Sequence, residues 1–472
     1  MSTLASGPQG PDALRPLLNT VLDALHAGAA TRRGPLPAGG PTEVAARLRA
    51  ALGNPLPDQG DEHALHTLVH ALAAGAADPA DPLCTAHLHC PPLAVATAAD
   101  LAASALNPSL DSWDQAPAAS VLEALVTKAL ANEVYPPTSR TTTTPDTTTT
   151  PDTAGAPDAL VTTGGTESNQ LALLLARETH GHVQLIQAAN AHHSLHRATW
   201  LLGLPEPVTV PAPAGTMDPA ALDQALTALS GPPGTLLVAA TAGTTDAGLI
   251  DPLPEIATLC ETHGARLHID AAYGGGLLLS DHHRPKLDGL TRAHTVTLDL
   301  HKLGWQPVAA GLLAVRNPHD LTALNHHTHY LNAEDDTEAG LPDLLGRSLR
   351  TSRRPDILKI AVTLKTLGRR GLAALVDQVC AHADELAELI HRHPHFELYD
   401  RPTISTVLFR PTDATDATVA AVRRTLLTEG RAVLGRARLD NRLWLKATLL
   451  NPHTGPGDLA ALLELVEGHT AR

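Results

Sequence analysis

Two side chains that can do covalent or acid–base chemistry follow apolar runs of strand length. Asp270 ends the run RLHID, and Lys302 lies three residues after the run TVTLD ends. An acid at the carboxyl end of a buried parallel strand lies where α/β sheets bind ligands. A lysine amine at such a strand end is poorly solvated, which makes it a candidate nucleophile toward an aldehyde. Each also has a simpler interpretation, since Asp270 could cap a turn and Lys302 could extend into solvent.

A turn of small residues precedes a strong helical pattern in VTTGGTESNQLALLLAR, residues 161 to 177. We predict a helix over about 167–178 that is opened by this glycine turn. The free N–H groups and positive dipole end of a helix N-terminus bind anions such as phosphate. The turn lacks the G-x-x-x-x-G-K-[ST] pattern of a Walker loop, and on its own it could be an ordinary helix cap.

A third segment, ANAHHSLHRATW, places His192 after another apolar run. The flat imidazole of His192 could stack on an aromatic ring. The chain has 27 histidines, so any one of them is weak evidence by itself. The spacing of His192, His193 and His196 could also suggest a metal, but no nearby cysteine or carboxylate completes a tetrahedral set, and we predict no metal site.

Taken together and in chain order, these features are what a site for pyridoxal 5′-phosphate (PLP) requires. The phosphate would lie at the helix N-terminus, and the imidazole would lie on the ring. The acid would keep the pyridine nitrogen protonated, and the lysine amine would bind the aldehyde. The sequence therefore predicts PLP as the cofactor.

The elements around these motifs predict an α/β fold. Strand-length apolar runs cover 183–187, 207–211, 235–240, 266–270, 295–299 and 311–315. Helical patterns cover 43–52, 61–77, 93–106, 118–133, 219–229 and 252–263. Strands that alternate with helices favour a mostly parallel sheet covered on both faces. Beyond about 375 the pattern is helix, strands at 395–410, helix, a strand at 443–450 and helix, which indicates a smaller α+β domain.

We expect three parts along the chain. These are an N-terminal helical segment at 1–115, a large PLP-binding α/β domain at 116–375 and a small C-terminal α+β domain at 376–472. The segment TSRTTTTPDTTTTPDTAGAPD, 138–158, has no hydrophobic periodicity and is predicted to be a disordered surface insertion. A Gly/Pro-rich loop is expected at 27–41.

Composition excludes several classes of protein. The 472 residues include 34 basic and 49 acidic side chains, a formal net charge of −15, which disfavours nucleic-acid binding. No apolar run is long enough to cross a membrane. The N-terminal residues do not form a secretory signal, and the four cysteines show no C-x-x-C spacing, so we expect a reducing cytoplasm.

Beyond these separate motifs, the order of motifs from about residue 80 to 455 resembles that of the group II PLP-dependent amino-acid decarboxylases. The segments that carry the resemblance are HLHCPP, LNPSLDSWDQAPAAS, GGTESN, AHHSLHRA, TAGTTDAGLIDP, HIDAAYGG, LDLHK, YLN, SLRTSRRPDILK and LLNP. The resemblance implies a PLP-dependent transferase fold of type I, similar to aspartate aminotransferase. It also implies a homodimer with sites at the subunit interface, interlocked by the N-terminal segment.

The resemblance assigns roles at the cofactor. Lys302 corresponds to the Schiff-base lysine, Asp270 to the partner of the pyridine nitrogen and His192 to the ring-stacking histidine. The other cofactor-binding residues that it implies are Ala272 on the opposite ring face, Thr241 near the phenolic oxygen, Gly165 and Thr166 at the phosphate, His301, and Ser352 from the neighbouring subunit.

The resemblance also assigns catalytic and substrate-binding residues. Tyr330 matches the mobile-loop tyrosine that protonates Cα after carbon dioxide leaves, and His301 lies where the family contacts substrate. Asp111 occupies a position that is aromatic in members acting on aromatic amino acids, and His89 lies in the entry segment. A desolvated carboxylate at Asp111 would favour a cationic ω-amine, although Asp111 could instead cap a helix.

Two features depart from the family pattern. Asp299 stands where several members carry asparagine near the phosphate, and a carboxylate beside a phosphate is unfavourable. The insertion before the phosphate turn is the second departure.

We therefore predict decarboxylation of an L-amino acid to its amine and carbon dioxide, with a diamino acid such as L-2,4-diaminobutyrate favoured. An aromatic amino-acid decarboxylase, or another PLP-dependent lyase or aldehyde synthase on the same scaffold, is the alternative. Tyr330 favours simple decarboxylation, because aldehyde-forming relatives typically replace that tyrosine. The non-enzyme alternative is a histidine-rich binding or scaffold protein, and it predicts that no cofactor is bound.

Overall fold

The structure is a computed structural model that describes residues 3–137, 155–229, 231–325 and 334–470. Contacts within the chain separate two units. One unit combines Met1–Pro91 with Gln378–Arg472, and the other is Pro92–Asp377. The three-part division at 1–115, 116–375 and 376–472 stays a prediction.

The elements are numbered in chain order. The helices are α1 (Gly10–Arg32), α2 (Gly40–Leu52), α3 (Ala64–Gly75), α4 (Ala94–Leu106), α5 (Pro117–Val134), α6 (Gly165–His180), α7 (His193–Leu202), α8 (Pro219–Leu229), α9 (Leu253–Thr262), α10 (Leu300–Leu303), α11 (Glu334–Glu338), α12 (Ile357–Arg392), α13 (Asp416–Thr428) and α14 (Pro456–Thr470). The strands are β1 (Asp158–Thr162), β2 (Gln184–Ala188), β3 (Val208–Val210), β4 (Leu236–Thr241), β5 (Arg266–Ala271), β6 (Thr295–Asp299), β7 (Gly311–Val315), β8 (Phe396–Leu398), β9 (Thr406–Pro411), β10 (Gly435–Leu439) and β11 (Arg442–Thr448).

A seven-stranded sheet forms the centre of the unit Pro92–Asp377. Its strand order is β1-β7-β6-β5-β4-β2-β3. The neighbouring strands β3, β2, β4, β5 and β6 are all parallel, while β7 runs antiparallel to both β6 and β1. The predicted mostly parallel sheet is therefore confirmed.

The central strands are buried along their whole length. Every residue of β4, β5 and β6 is buried, as expected for parallel strands with both faces covered. Helix α6 has two apolar sides. Leu171 and Leu175 pack with Leu160 of β1 and Leu313 of β7, and Leu173 joins a cluster with residues of β2 and β4. This packing holds α6 against the seven-stranded sheet.

The unit that includes the C-terminus is built on a four-stranded antiparallel sheet. Its strand order is β10-β11-β9-β8. Phe396, Phe409 and Leu445 of these strands share one core with α13 and α14, through residues such as Val419 and Leu462. The predicted smaller α+β fold is confirmed. Strand β10 was not predicted, because GRARL contains two arginines that alternate with buried residues.

Two sequence-based boundaries are wrong. The loop expected at 27–41 is helical up to Arg32, because the alanine-rich end of α1 continues until Arg33 adopts a left-handed φ of 60°. The insertion expected at 138–158 ends earlier, since Asp158 is the first residue of β1 and pairs with Val315. Residues 138–154 lie outside the described residues. No helix in the described part of the chain is long and apolar enough to cross a bilayer.

Candidate active site

The carboxyl ends of β4, β5 and β6 meet at one edge of the seven-stranded sheet. Thr241 of β4 is the register partner of Asp270 in β5, and Asp270 is the partner of Thr297 in β6. Asp299 ends β6, and the short helix α10 follows at once and carries Lys302. Strand register thus brings the predicted acid and lysine to the same edge, where open α/β sheets bind ligands.

Lys302 forms an ion pair with Asp299. Its Nζ lies 2.9 Å from Asp299 Oδ2, and the two side chains are 19% and 3% exposed. His301 Nε2 lies 3.6 Å from the same oxygen. Burial lowers the pKa of His301 below its ordinary value, so its ring is neutral at pH 7. The ion pair of Asp299 is therefore formed with Lys302, and the neutral His301 ring only lies beside the same oxygen.

The glycine turn packs directly against this edge. A β-carbon at Gly165 would lie 3.0 Å from the Ala272 β-carbon, and one at Gly164 would lie 3.1 Å from His301 Cε1. Gly164 also has a φ of +149°, which side chains rarely allow. Helix α6 begins at Gly165, two residues earlier than predicted. Its N-terminal N–H groups therefore lie beside the strand ends, as an anion site requires.

Asp270 is a buried carboxylate held by two N–H donors. Its Oδ1 accepts a hydrogen bond from the Ala272 backbone at 3.1 Å, and its Oδ2 accepts one from Asn169 Nδ2 at 2.8 Å. Asp270 forms no ion pair with any described residue. A buried acid with neutral partners is available to a cationic ligand atom, such as a protonated ring nitrogen.

His192 caps helix α7. Its Nδ1 accepts a hydrogen bond from the Ser194 backbone N–H at 3.3 Å and lies 2.8 Å from Ser194 Oγ. Burial lowers the pKa of His192, although the nearby Asp270 charge opposes this effect. The ring is therefore neutral at pH 7, which suits a side chain that stacks on a flat heterocycle.

Two buried oxygen atoms at this edge are unsatisfied. Thr241 Oγ1 and Asp299 Oδ1 have no hydrogen-bond partner among the described residues. Buried polar atoms are usually paired, and the Thr241 hydroxyl at this edge is therefore available to bond a ligand atom. The lysine, the glycine turn, the lone acid and the unpaired threonine hydroxyl together fit PLP.

The other predicted residues are placed as follows. Thr166 and Ser352 are exposed in the single chain, and Ala272 is buried. His89 is exposed and belongs to the unit that contains the C-terminus. Tyr330 lies outside the described residues.

Asp111 is buried, and its Oδ1 accepts a hydrogen bond from Gln115 Nε2 at 2.8 Å. It does not cap the following helix, because the N-cap of α5 is Ala116 and has no side-chain cap bond. The simpler interpretation of Asp111 as a helix cap is therefore wrong for α5.

Sequence reasoning missed two residues of the site, Asn169 and His268. Both are fully buried, and Asn169 Oδ1 lies 3.0 Å from His268 Nε2. The sequence did contain a signal for both. Asn169 lies in the first turns of α6 and His268 lies inside β5, and each is a polar residue at a position that the pattern predicts to be buried. Buried polar side chains without a local partner need one from elsewhere in the fold.

The expected absence of a metal site stays a prediction. In the unit that contains the C-terminus, ligand atoms of His393, His395 and Glu467 lie within 4.8 Å of one another. His395 Nδ1 and the Glu467 carboxylate are in direct contact. The histidine-rich segment singled out in the sequence, around His192, is not part of this group.

Comparison with known proteins agrees with this site. Residues 47–412 match the family model described as the pyridoxal-dependent decarboxylase conserved domain. An L-2,4-diaminobutyrate decarboxylase from Rhizobium meliloti (strain 1021) is 38% identical over 93% of this chain and 84% of its own length. A protein of the same name from Acinetobacter baumannii is 31% identical over 82% of this chain and 79% of its own.

Solved structures show the same fold. The glutamate decarboxylase domain of a diaminobutyrate-pyruvate transaminase and L-2,4-diaminobutyrate decarboxylase from Vibrio parahaemolyticus has a TM-score of 0.83 at 29% identity, covering 99% of this chain and 97% of that one. A structure of Oryza sativa TDC with PLP and tryptamine has a TM-score of 0.86 at 23% identity, covering 99% of both chains. The predicted type I fold is confirmed.

The lysine, acid, histidine and glycine turn therefore lie on the scaffold that their order in the sequence indicated. The family model covers most of the chain, and the two relatives named above match 93% and 82% of it. The chain belongs to the pyridoxal-dependent decarboxylase family and is a PLP-dependent amino-acid carboxy-lyase.

Proposed function

We propose that this enzyme decarboxylates a diamino acid, with L-2,4-diaminobutyrate as the favoured substrate. The observation that carries the proposal is the 38% identity, over 93% of this chain, to a relative named for that activity. The buried Asp111 carboxylate supports it, since a carboxylate can hold an ω-ammonium group by a charge-assisted hydrogen bond. An aromatic substrate has no comparable support, because the TDC structure is only 23% identical and indicates the fold alone.

We assign the cofactor-binding roles to residues at the sheet edge. Lys302 Nζ would bind the aldehyde carbon, and Asp270 would hold a proton on the ring nitrogen. His192 and Ala272 would cover the two ring faces, and Thr241 Oγ1 would meet the phenolic oxygen. The remaining contacts would come from Gly165, Thr166 and His301, and from Ser352 of a second copy of the chain.

When bound, PLP withdraws the electron pair that stays on Cα as carbon dioxide departs. Asp270 would keep the ring nitrogen protonated and so sustain this withdrawal. Because the edge is buried, the electrostatic interaction between Asp270 and the ring nitrogen would be strong. His192, neutral and anchored at Ser194, would cover one ring face and help to position the substrate. Tyr330 would then return a proton to Cα.

We infer a homodimer in the cytoplasm as the working form. Ser352 is exposed in the single chain, as a residue that serves a neighbouring subunit would be. Light scattering on the purified protein should give twice the chain mass. A monomer with full activity would contradict the inference.

A substrate panel tests the function. Purified enzyme with added PLP is given 2,4-diaminobutyrate, ornithine, lysine, aspartate, glutamate, tyrosine and tryptophan, and carbon dioxide, amine and peroxide are measured together. We expect equal amounts of carbon dioxide and 1,3-diaminopropane from 2,4-diaminobutyrate, without peroxide. Lys302→Ala is the control and should give no product and no cofactor linkage after borohydride treatment. Preference for tyrosine or tryptophan, or peroxide formation, would favour the aromatic decarboxylase or aldehyde synthase alternative.

The role of Asp111 has its own test. Asp111→Ala should raise KM for a diamino acid far more than KM for a neutral amino acid, because only the former has an ω-ammonium group to lose. Gln115→Ala is the matched control, since it removes the neutral partner of Asp111 and leaves the carboxylate in place. Equal KM increases for both substrates in Asp111→Ala would refute the assignment.

A further inference from the structure

A chain of buried polar side chains lies behind Asp270 and His192, and Asn169 is its junction. Asn169 Nδ2 lies 2.8 Å from Asp270 Oδ2 and 2.9 Å from Ser194 Oγ. Ser194 Oγ in turn lies 2.8 Å from His192 Nδ1. Asn169 and Ser194 are both fully buried. One amide group therefore connects the acid and the histidine that we place against the cofactor.

The orientation of the Asn169 amide follows from its partners. An ionised carboxylate only accepts hydrogen bonds, so the atom that faces Asp270 is the NH₂ group. The Asn169 oxygen faces the other way, where it accepts from Thr297 Oγ1 at 2.9 Å and lies 3.0 Å from His268 Nε2. Two donors and an acceptor with two lone pairs thus find four partners, which satisfies the whole amide.

His268 anchors the oxygen side of this junction. Burial lowers the pKa of His268 well below its ordinary value, so the ring is neutral and carries one proton. Because Asn169 Oδ1 can only accept, that proton is on Nε2. His268 Nδ1 then accepts from Thr295 Oγ1 at 2.9 Å.

The partners of His192 determine its tautomer in the same way. Ser194 Oγ accepts one N–H of Asn169, so its own proton is free to donate to His192 Nδ1. The Ser194 backbone N–H, which can only donate, also points to that nitrogen at 3.3 Å. His192 Nδ1 is therefore an acceptor, and the single proton of the neutral ring is on Nε2.

We propose that Asn169 is a positioning residue that holds the Asp270 carboxylate and selects the Nε2–H tautomer of His192 at the same time. The significance for catalysis rests on the proposed roles of Asp270 and His192 at the cofactor. The hydrogen bonds themselves are independent of those roles, because every group that forms them belongs to this chain. A change at the Asn169 amide would therefore alter both the hydrogen bonding of Asp270 and the tautomer of His192.

The tautomer can be read without cofactor. Apo protein with ¹⁵N-labelled histidine is studied by NMR at neutral pH, and the His192 signals are identified as those missing from His192→Gln. We expect wild-type His192 to be protonated on Nε2. In Asn169→Ala the Ser194 hydroxyl is no longer oriented, and only the longer contact from the Ser194 backbone N–H at 3.3 Å still favours Nε2–H, so the fraction of the Nδ1–H tautomer of His192 should rise.

Cofactor affinity gives the second measurement. The dissociation constant for PLP should rise about tenfold in Asn169→Ala, as expected when a buried charged group loses one hydrogen-bond donor. Ser168→Ala is the matched control. Ser168 precedes Asn169, is equally buried and bonds to Thr162 Oγ1 and the Leu312 carbonyl, outside this junction. It should leave the His192 spectrum unchanged.

Three results would overturn the proposal: a wild-type His192 protonated on Nδ1, a folded Asn169→Ala protein with unchanged His192 signals and PLP affinity, or a Ser168→Ala protein that changes both. If Asn169→Ala does not fold, Ser194→Ala decides. It removes the hydroxyl that joins Asn169 to His192 and leaves Asn169 bonded to Asp270, so an unchanged tautomer there would also contradict the proposal. Failure to bind PLP or to release carbon dioxide would instead refute the proposed function and leave the tautomer result readable.

Discussion

Arg266 opens strand β5, and Asp270 lies near its other end. At the amino end, Arg266 forms a buried ion pair with Asp320, and the two side chains are 9% and 8% exposed. At the carboxyl end, Asp270 is held by an amide and a backbone N–H and has no ion pair among the described residues. Burying a charge without an opposite charge is costly. The buried charges at the amino end are thus paired within the chain, while the acid at the carboxyl end is left available for a ligand.

The largest effects are expected when one charge is removed at each end of β5. Asp320→Asn leaves Arg266 buried without its partner, which should cost about 3–5 kcal/mol of unfolding free energy. The folded fraction should keep its kcat, because no site residue is touched. Urea unfolding and active-site titration measure the two effects. A stable variant with lost activity would show that the two ends are not separate in role.

Asp270→Asn is the counterpart. It should lower kcat by about 10²–10³-fold, as expected when a group that stabilises charge in a transition state is lost. Its loss of unfolding free energy should be smaller than that of Asp320→Asn, because no opposite charge is stranded. Retention of more than a tenth of kcat would contradict the role assigned to Asp270.

His294, which accepts a hydrogen bond from Leu267 near the amino end of β5, should make the free energy of unfolding depend on pH. Burial, reinforced by Arg266 and Arg316, lowers the pKa of His294 from 6.5 to about 4. The unfolded chain therefore takes up a proton first as pH falls, so this contribution to stability is complete above pH 6.5 and is lost progressively between 6.5 and about 4. Urea unfolding at about pH 7.5 and about pH 5 measures it.

His294→Asn should lose less stability over that pH range than the wild type. The asparagine oxygen can still accept the Leu267 N–H that His294 Nδ1 accepts at 3.0 Å. An identical pH dependence in the two proteins would show that His294 does not contribute.

The smallest effect is expected at Thr241, beside the carboxyl end of β5. Thr241→Val removes a hydroxyl that has no partner among the described residues, so apo stability should not fall. The dissociation constant for PLP should rise by about fivefold to tenfold, the equivalent of one hydrogen bond. Thr244→Val is the control, since Thr244 Oγ1 accepts the Leu249 N–H at 3.0 Å. It should lower stability and leave affinity unchanged.

Much of the fold and site could be read from local pattern. The apolar runs at 235–240, 266–270 and 295–299 match β4, β5 and β6 to within one residue at each end, because a strand buried on both faces has a continuous apolar sequence. The same runs placed Asp270 and Lys302 at strand ends. The helical end of α1 and the existence of β10 were missed, since an alanine-rich helix end and an arginine-rich edge strand lack that signal.

Sequence motifs alone were enough to predict the chemistry of the candidate site: Lys302 as the amine, Asp270 as the acid and the glycine turn as the anion site. These properties belong to single residues and their immediate neighbours. Only the tertiary structure decided which groups share one environment, such as the contact of Asp299 with Lys302 and the junction at Asn169. Asn169 and Asp270 are far apart along the chain, and their meeting depends on strand register and helix packing, which are set by the whole buried core.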